Sequence, residues 1–166
     1  MTTTERTRTV TWEDPMVGAL RAHGMSGLEY LQRIQRGEIA APPIAKLLGM
    51  DLLEVTEGHA RFGLTVGEHL YNPIGSVHGG VFATLLDSVV GCAVHSTLPA
   101  GKGYTTLEIK VNMIKPLRVD SPPVTAVGSI VSVGSRVAIA TGQIEDSEGR
   151  IYATASTTCL VFDAPG

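Results

Sequence analysis

The chain has 166 residues, with 13 Lys and Arg against 16 Asp and Glu and a formal net charge of −3. That length favours one domain with a sizeable core and is short for two. The composition excludes a disordered chain, a disulfide scaffold and a nucleic-acid binder working by bulk positive charge. Only 17% of residues are charged and 19 are glycine, roughly 11% glycine where about 7% is usual, and well below the charged share of about 25% in an average domain. Too little charge and too much glycine for a monomer's surface point to an oligomer.

The polar start, MTTTERTRTV, lacks the apolar segment of a secretory signal. Residues 1–25 mix polar groups with Pro15, Gly18 and Gly24 and read as a loose arm. Ser26 and Glu29 then form a capping box, Leu28, Leu31 and Ile34 share a face, and Gly37 stands where a helix ends. The spacing predicts a short surface helix, so residues 1–40 are taken as an arm plus helix and 41–166 as the main domain. Ala41-Pro42-Pro43 breaks the chain. Leu47–Thr56, His59–Val66, Thr105–Lys115, Val124–Val133, Arg136–Glu145 and Arg150–Phe162 are rich in Val, Ile and Thr and predict strands. Short turns at Gly134-Ser135 and Ser147-Glu148-Gly149 join the last three into an antiparallel meander. Between the strands, Gly80 to about Ser96 is apolar on most sides, which predicts one buried helix.

The most apolar stretch, 77–94, contains His78 and Asp87, so no membrane span is expected. Cys92 and Cys159 are far apart and read as two buried thiols of a cytoplasmic protein. The five histidines show no ligand spacing, so no metal is expected.

The segment entering the helix, Tyr71-Asn72-Pro73-Ile74-Gly75-Ser76-Val77-His78-Gly79-Gly80, is the first site candidate. Two glycines there let another group approach the backbone, and the first turn of a helix offers unpartnered N–H groups at the positive end of its dipole. A developing oxyanion suits that place. Tight packing of the helix against a strand accounts for the glycines at least as well. Asp87 shifts the balance, because an aspartate in an apolar helix is costly unless it is paired or functional. A nearby hydroxyl or arginine could satisfy it; the alternative is a general base or nucleophile. Gly79 and Asp87 are eight residues apart, about 12 Å along one helix at 1.5 Å per residue. A carbonyl held at Gly79 is therefore out of reach of Asp87 in the same chain. Two helices running antiparallel across a two-fold axis would bring them together.

At these residues the sequence resembles the hotdog-fold acyl-CoA thioesterases, in particular the PaaI-like and 4-hydroxybenzoyl-CoA thioesterase group. The match consists of Asn72, His78-Gly79-Gly80 and Asp87 in that order, followed by the strand Thr106 to Pro116. The resemblance runs from about Leu47 to Phe162. It implies an α+β hotdog fold: one long central helix wrapped by a curved antiparallel sheet of five or six strands, preceded here by the short N-terminal helix. It also implies a homodimer, further paired as a homotetramer, that hydrolyses aryl- or fatty-acyl-CoA. No cofactor is implied, coenzyme A being part of the substrate. By the resemblance, the Gly79 N–H polarises the thioester carbonyl, Asn72 holds that carbonyl or the attacking water, and Thr106 places a hydroxyl near the water. Asp87 of the facing subunit is base or nucleophile. His78 and Gly80 shape the substrate loop, His78 more by hydrogen bonding than by proton transfer. Gly134, Ser135 and Arg136 are either an ordinary hairpin turn or contacts for the coenzyme A phosphates, with Lys115 and Arg118 as further candidates. Two other readings are a hotdog hydratase or dehydratase, for which the His and acid pairing is missing, and a non-catalytic acyl-CoA sensor. His95, near the helix end, is read as a cation favoured by the dipole.

Overall fold

The computed structural model describes residues 4–164. Its elements are helices α1 (Pro15–Arg21), α2 (Gly27–Gln35) and α3 (Pro43–Leu48), strands β1 (Met50–Thr56) and β2 (His59–Leu64), the long helix α4 (Gly79–His95), and strands β3 (Lys102–Met113), β4 (Val124–Val133), β5 (Val137–Asp146) and β6 (Ile151–Asp163). The strands form one six-stranded sheet in the order β1-β2-β4-β5-β6-β3, antiparallel throughout. The sheet curves around α4, the hotdog arrangement the resemblance implies.

The apolar run predicted as a buried helix is one. Leu85, Leu86, Val89, Val90 and Val94 of α4 are completely buried against the sheet, and each such side chain stabilises the fold by about 1.5–3 kcal/mol. The helix comes unusually close to the strands. Gly128 of β4 and Gly142 of β5 face each other across the sheet. A Cβ on Gly128 would lie 2.5 Å from the Val89 carbonyl oxygen, and one on Gly142 would lie 2.8 Å from Cγ1 of Val90. Part of the glycine excess therefore has a cause beyond turns and site: these two strand glycines let the helix rest on the sheet backbone.

Strand β3 carries a bulge. Its pairing with β6 shifts between Thr106 and Glu108, leaving Leu107 as the extra residue. Thr106 stays half-buried, Leu107 and Glu108 both face out, and Ile109 turns in again. Unbroken period-two alternation from Thr106 would have sent Glu108 and Lys110 inward.

The predicted strand of residues 47–56 and the loose arm of residues 1–25 need correction. Pro43 opens α3, a helix that Gly49 closes in the left-handed conformation (φ 73°), so β1 starts only at Met50. Proline is well placed in a first helical turn, where its missing N–H costs nothing. Likewise Asp14 caps α1 by accepting from the Met16 N–H, with Pro15 in the first turn. The predicted α2 is present, and its Ser26 side chain accepts from the Glu29 N–H at 3.2 Å.

At the β5–β6 turn, buried Asp146 accepts from the Glu148 N–H (2.9 Å), the Arg150 N–H (3.1 Å), Arg150 Nε (2.7 Å) and the Tyr152 hydroxyl (3.3 Å). Burial alone would raise its pKa; the bonds from Arg150 outweigh that and hold it at about 2.

Candidate active site

Asp87 sits midway along α4, half-buried, and its Oδ1 accepts from the Thr106 hydroxyl at 2.9 Å. The bulge that separates Thr106 from Glu108 is what turns this hydroxyl toward the helix. Two residues earlier on the same face of β3, Tyr104 lies against Gly91 of α4. A Cβ there would stand 2.5 Å from the phenol oxygen. Tyr30 of α2, His95 and Tyr104 form a tilted aromatic series, with ring centroids 5.8 and 5.5 Å apart.

The electrostatics of this cluster separate its members. Burial, reinforced by Asp87, pushes the Cys92 thiol up to about 12, so it is protonated at neutral pH and no nucleophile. Burial also raises the Tyr104 phenol, with Cys92 and Asp87 adding to the effect. His95 is pushed down by burial. A neutral imidazole between two tyrosines replaces the dipole-stabilised cation expected from its place at the helix end. Asp87 is the carboxyl group of this cluster, bonded to the Thr106 hydroxyl.

The loop before α4 is built around Asn72. Its Oδ1 accepts from the Ile74 N–H (3.0 Å) and the Ser76 N–H (3.3 Å), and its Nδ2 donates to the Ser76 hydroxyl at 3.2 Å. Asn72 thus orders the loop as an Asx turn. His78 is the N-cap of α4: its Nδ1 accepts from the Gly80 N–H at 2.9 Å. That leaves the Gly79 N–H, which has no acceptor among the described residues. A Cβ on Gly79 would meet Met113 Cε at 2.9 Å, so the glycine also admits the end of β3. Arg118 donates to the Gly75 carbonyl at 3.3 Å and buttresses the same loop. Lys115 is exposed.

Within one chain, then, Thr106 meets Asp87, whereas Gly79, Gly80, His78 and Asn72 gather at the far end of the helix. Gly79 and Asp87 are the first and ninth residues of α4, about 12 Å apart. Gly134, Ser135 and Arg136 form the exposed β4–β5 turn, closed by the Gly134 N–H donating to the Val137 carbonyl at 2.8 Å. Thr106 pairs with Cys159, and Cys159 with Ala138; two strand spacings put the root of this turn about 10 Å from Thr106.

Sequence reasoning missed a cavity of about 970 Å³ that opens from Asp87, Cys92, His95 and Tyr104 toward α1, α2 and the α3 region. One signal was available: Tyr104 and Thr106 lie two apart on a strand, and Asp87 and His95 eight apart on a helix, so each pair shares a face.

A long helix wrapped in a curved antiparallel sheet, with a hydroxyl-bonded carboxyl group midway along it, defines a hotdog-fold protein with an acid-bearing site. Comparisons with known proteins agree. The thioesterase superfamily profile matches residues 74–153. A Halobacterium salinarum protein bearing an esterase name is 34% identical over 102 residues, covering 58% of this chain and 66% of its own length. A Ralstonia eutropha protein related to phenylacetic acid degradation is 27% identical with a TM-score of 0.71, covering 79% of this chain and 98% of that one. The Escherichia coli PaaI protein superposes with a TM-score of 0.71 over 85% of this chain and 98% of its own. At 20% identity that likeness is one of fold. Over these residues the chain resembles the thioesterase superfamily, a family of thioester hydrolases.

Proposed function

We propose that the protein is an acyl-CoA thioesterase of the cytoplasm whose active site forms between two subunits, with the dimers pairing further into a homotetramer. The observation that carries this reading is the division of the site within one chain. The Asp87–Thr106 pair lies midway along α4, and the open Gly79 N–H lies at its start. Neither half suffices for acyl transfer, which needs a base or nucleophile and an oxyanion donor on the same carbonyl. Antiparallel juxtaposition of two α4 helices unites Asp87 of one with Gly79 of the other. The free edge of β3 supports such a contact. Among the described residues it pairs only with β6, and it and the residue after it expose Leu107, Met113 and Ile114 by 60, 54 and 54%, an apolar edge that calls for cover.

In the proposed reaction the thioester carbonyl oxygen accepts from the Gly79 N–H, at the positive end of the α4 dipole. Asp87 then removes a proton from a water positioned with Thr106, and the water oxygen adds to the carbonyl carbon. Collapse of the adduct breaks the C–S bond, coenzyme A leaves as thiolate, and the proton held by Asp87 returns to the leaving sulfur. Alternatively Asp87 adds directly to the carbonyl carbon, the C–S bond breaks to release coenzyme A thiolate, and water cleaves the resulting anhydride to free acid and Asp87, its proton passing to the thiolate. An acyl-enzyme trapped in a rapid-quench experiment distinguishes the second route. Asn72 supports the donor loop, and the Gly134-Ser135-Arg136 turn, exposed on the same sheet, is the proposed contact for coenzyme A phosphates.

Subunit complementation tests the assignment. Asp87→Ala removes the base and Gly79→Leu crowds the N–H with a side chain; each homo-oligomer should lose at least about a hundredfold in turnover, the low end of what a general base contributes. Unfolding and refolding them together should restore activity, because a mixed dimer keeps one intact pair. Two inactive parents giving an inactive mixture would overturn the shared site. Tight acyl-CoA binding by the wild type without thiol release would overturn the enzymatic reading.

A further inference from the structure

The cavity that begins at Asp87 is roofed by the N-terminal segment, which lies outside the stretch matching the superfamily profile. We infer that this cavity is the acyl pocket and that the arm is its lid, selecting an extended apolar acyl chain over a short one. The inference rests on the thioesterase reading for the identity of the ligand.

Three observations carry it. First, the cavity is continuous from the reactive end to the arm: its lining includes Asp87 and Tyr104 at one end, Ile34 along the side, and Trp12, Val17 and Gly18 at the other. At about 970 Å³ it stands near the top of the range of roughly 300–1,000 Å³ that encloses drug-sized ligands. An acetyl group would leave most of it filled by water. Second, α1 presents a small apolar face to the cavity: Pro15, Val17 and Gly18 line it, whereas Met16 and Leu20 lie outside the lining. Third, the arm is tied down on both sides of the cavity. Arg6 pairs with Glu68 at 2.7 Å, and Arg8 donates to the Leu47 carbonyl at 2.9 Å and touches His69. Beyond α1's apolar face, Arg21 donates to the Glu38 carbonyl at 3.1 Å. A segment anchored at its ends, with an apolar middle over a cavity, is built as a cover rather than as a tail.

The chemistry of the walls fits this division. The carbonyl must lie by Asp87, and the acyl tail then runs along Leu31, Ile34, Ile39 and Phe62 toward α1, where Glu13, Asp14 and Arg21 also line the cavity. Coenzyme A remains outside, on the side of the helix N-termini and the β4–β5 turn.

The chain carries its own reporter, since Trp12 is the sole tryptophan. Titration with the non-hydrolysable thioether S-dodecyl-coenzyme A should shift Trp12 emission, and S-ethyl-coenzyme A should leave it unmoved. Equal responses to both, or a response to neither, would overturn the assignment. Two full-length variants test selectivity. Gly18→Phe aims a ring at Ile39 and Tyr30, the nearest neighbours of a Cβ there at 3.7 and 4.0 Å. Val17→Glu places a charge on the lining. Each should lower the ratio of kcat/KM for dodecanoyl-CoA over acetyl-CoA at least about tenfold, the scale of a pocket discriminating apolar groups. Far-UV circular dichroism checks that the folds match. Folded variants that keep the wild-type ratio within threefold would overturn the lid. Hydrolysis of none of these thioesters by the wild type would refute the enzymatic reading instead, and the Trp12 titration would still decide the cavity.

Discussion

Replacing Gly128 by alanine tests whether α4 truly rests on the strand backbone. The new Cβ would stand 2.5 Å from the Val89 carbonyl oxygen, 2.7 Å from the Val89 carbonyl carbon and 3.1 Å from the Val90 nitrogen. Ordinary contact begins near 3.4 Å, and the obstructing atoms belong to the helix backbone, so no side-chain rotation relieves the overlap. The helix must lift by about 0.9 Å, and gaps of 0.5–1 Å forfeit roughly a quarter to a half of the dispersion energy of the atoms they separate. Leu86, Val89 and Val90 would all lose contact. Overpacking typically costs about 1–3 kcal/mol, and rigidity on both sides puts this site near 3. Alanine's better conformational entropy in a strand returns about 0.5–1 kcal/mol at most. For a domain of this size each kcal/mol moves Tm by roughly 2–4 °C, so a net loss of about 2–2.5 kcal/mol lowers Tm by about 4–10 °C. Gly63→Ala is the internal control: it also sits in a strand, but its nearest neighbour is a Leu53 methyl at 3.4 Å. Its effect should stay within about 0.5 kcal/mol. Urea unfolding followed by far-UV circular dichroism, at one fixed protein concentration because assembly contributes to apparent stability, gives both values. A Gly128→Ala protein no less stable than Gly63→Ala would refute the close-approach argument.

Other changes separate the site from the scaffold. Thr106→Val keeps the shape of the side chain but removes the hydrogen bond to Asp87, and hydrogen bonds to charged groups contribute about 1.5–3 kcal/mol. We expect kcat to fall roughly ten- to a hundredfold with Tm little changed, and Thr106→Ser to recover most of it. Asp146→Asn should lower stability at neutral pH by weakening the anchor of the β5–β6 turn. Because the folded pKa is held at about 2 against an ordinary 3.8, the carboxylate's contribution is complete above about pH 4 and is lost as pH falls toward 2. Urea midpoints of wild type and variant should therefore converge over that interval; a constant separation down to pH 2 would contradict the depressed pKa.

The parts of the fold readable in the sequence were those with strong periodicity. Strand β4 spans the predicted residues, and α4 differs by one residue at each end, because an uninterrupted apolar run between glycines and a polar turn has few alternative placements. Helices α1 and α3 are hidden in the sequence for a shared reason. Each opens on a proline, and Pro42-Pro43 reads as a break where Pro43 starts a helix. The Asp14-Pro15 pair was a legible start signal, but Gly18 and Gly24 masked it. At the site, Asp87 stands out as a lone acid among apolar residues, whereas Thr106 enters only through the family resemblance, and its bond to Asp87 is seen only in the structure. Of the cavity, only the shared faces of Tyr104 with Thr106 and of Asp87 with His95 were readable. Its walls come from residues as far apart as Trp12 and Tyr104, and no local pattern ties such positions together.

The bulge at Leu107 has a consequence for how this protein tolerates change. It makes β3 two segments of opposite parity on one backbone: Tyr104 and Thr106 face the helix from even positions, and Ile109 and Val111 from odd ones. Straightening the strand with Leu107 kept would force a choice: holding the Thr106 hydroxyl on Asp87 would send Glu108 and Lys110 toward the core, and keeping Ile109 and Val111 buried would turn Thr106 away. Deleting Leu107 removes that conflict, because Ile109 then follows Thr106 by two places and both face the helix. The strand should therefore tolerate loss of the extra residue better than a second insertion beside it, which would reverse the phase again.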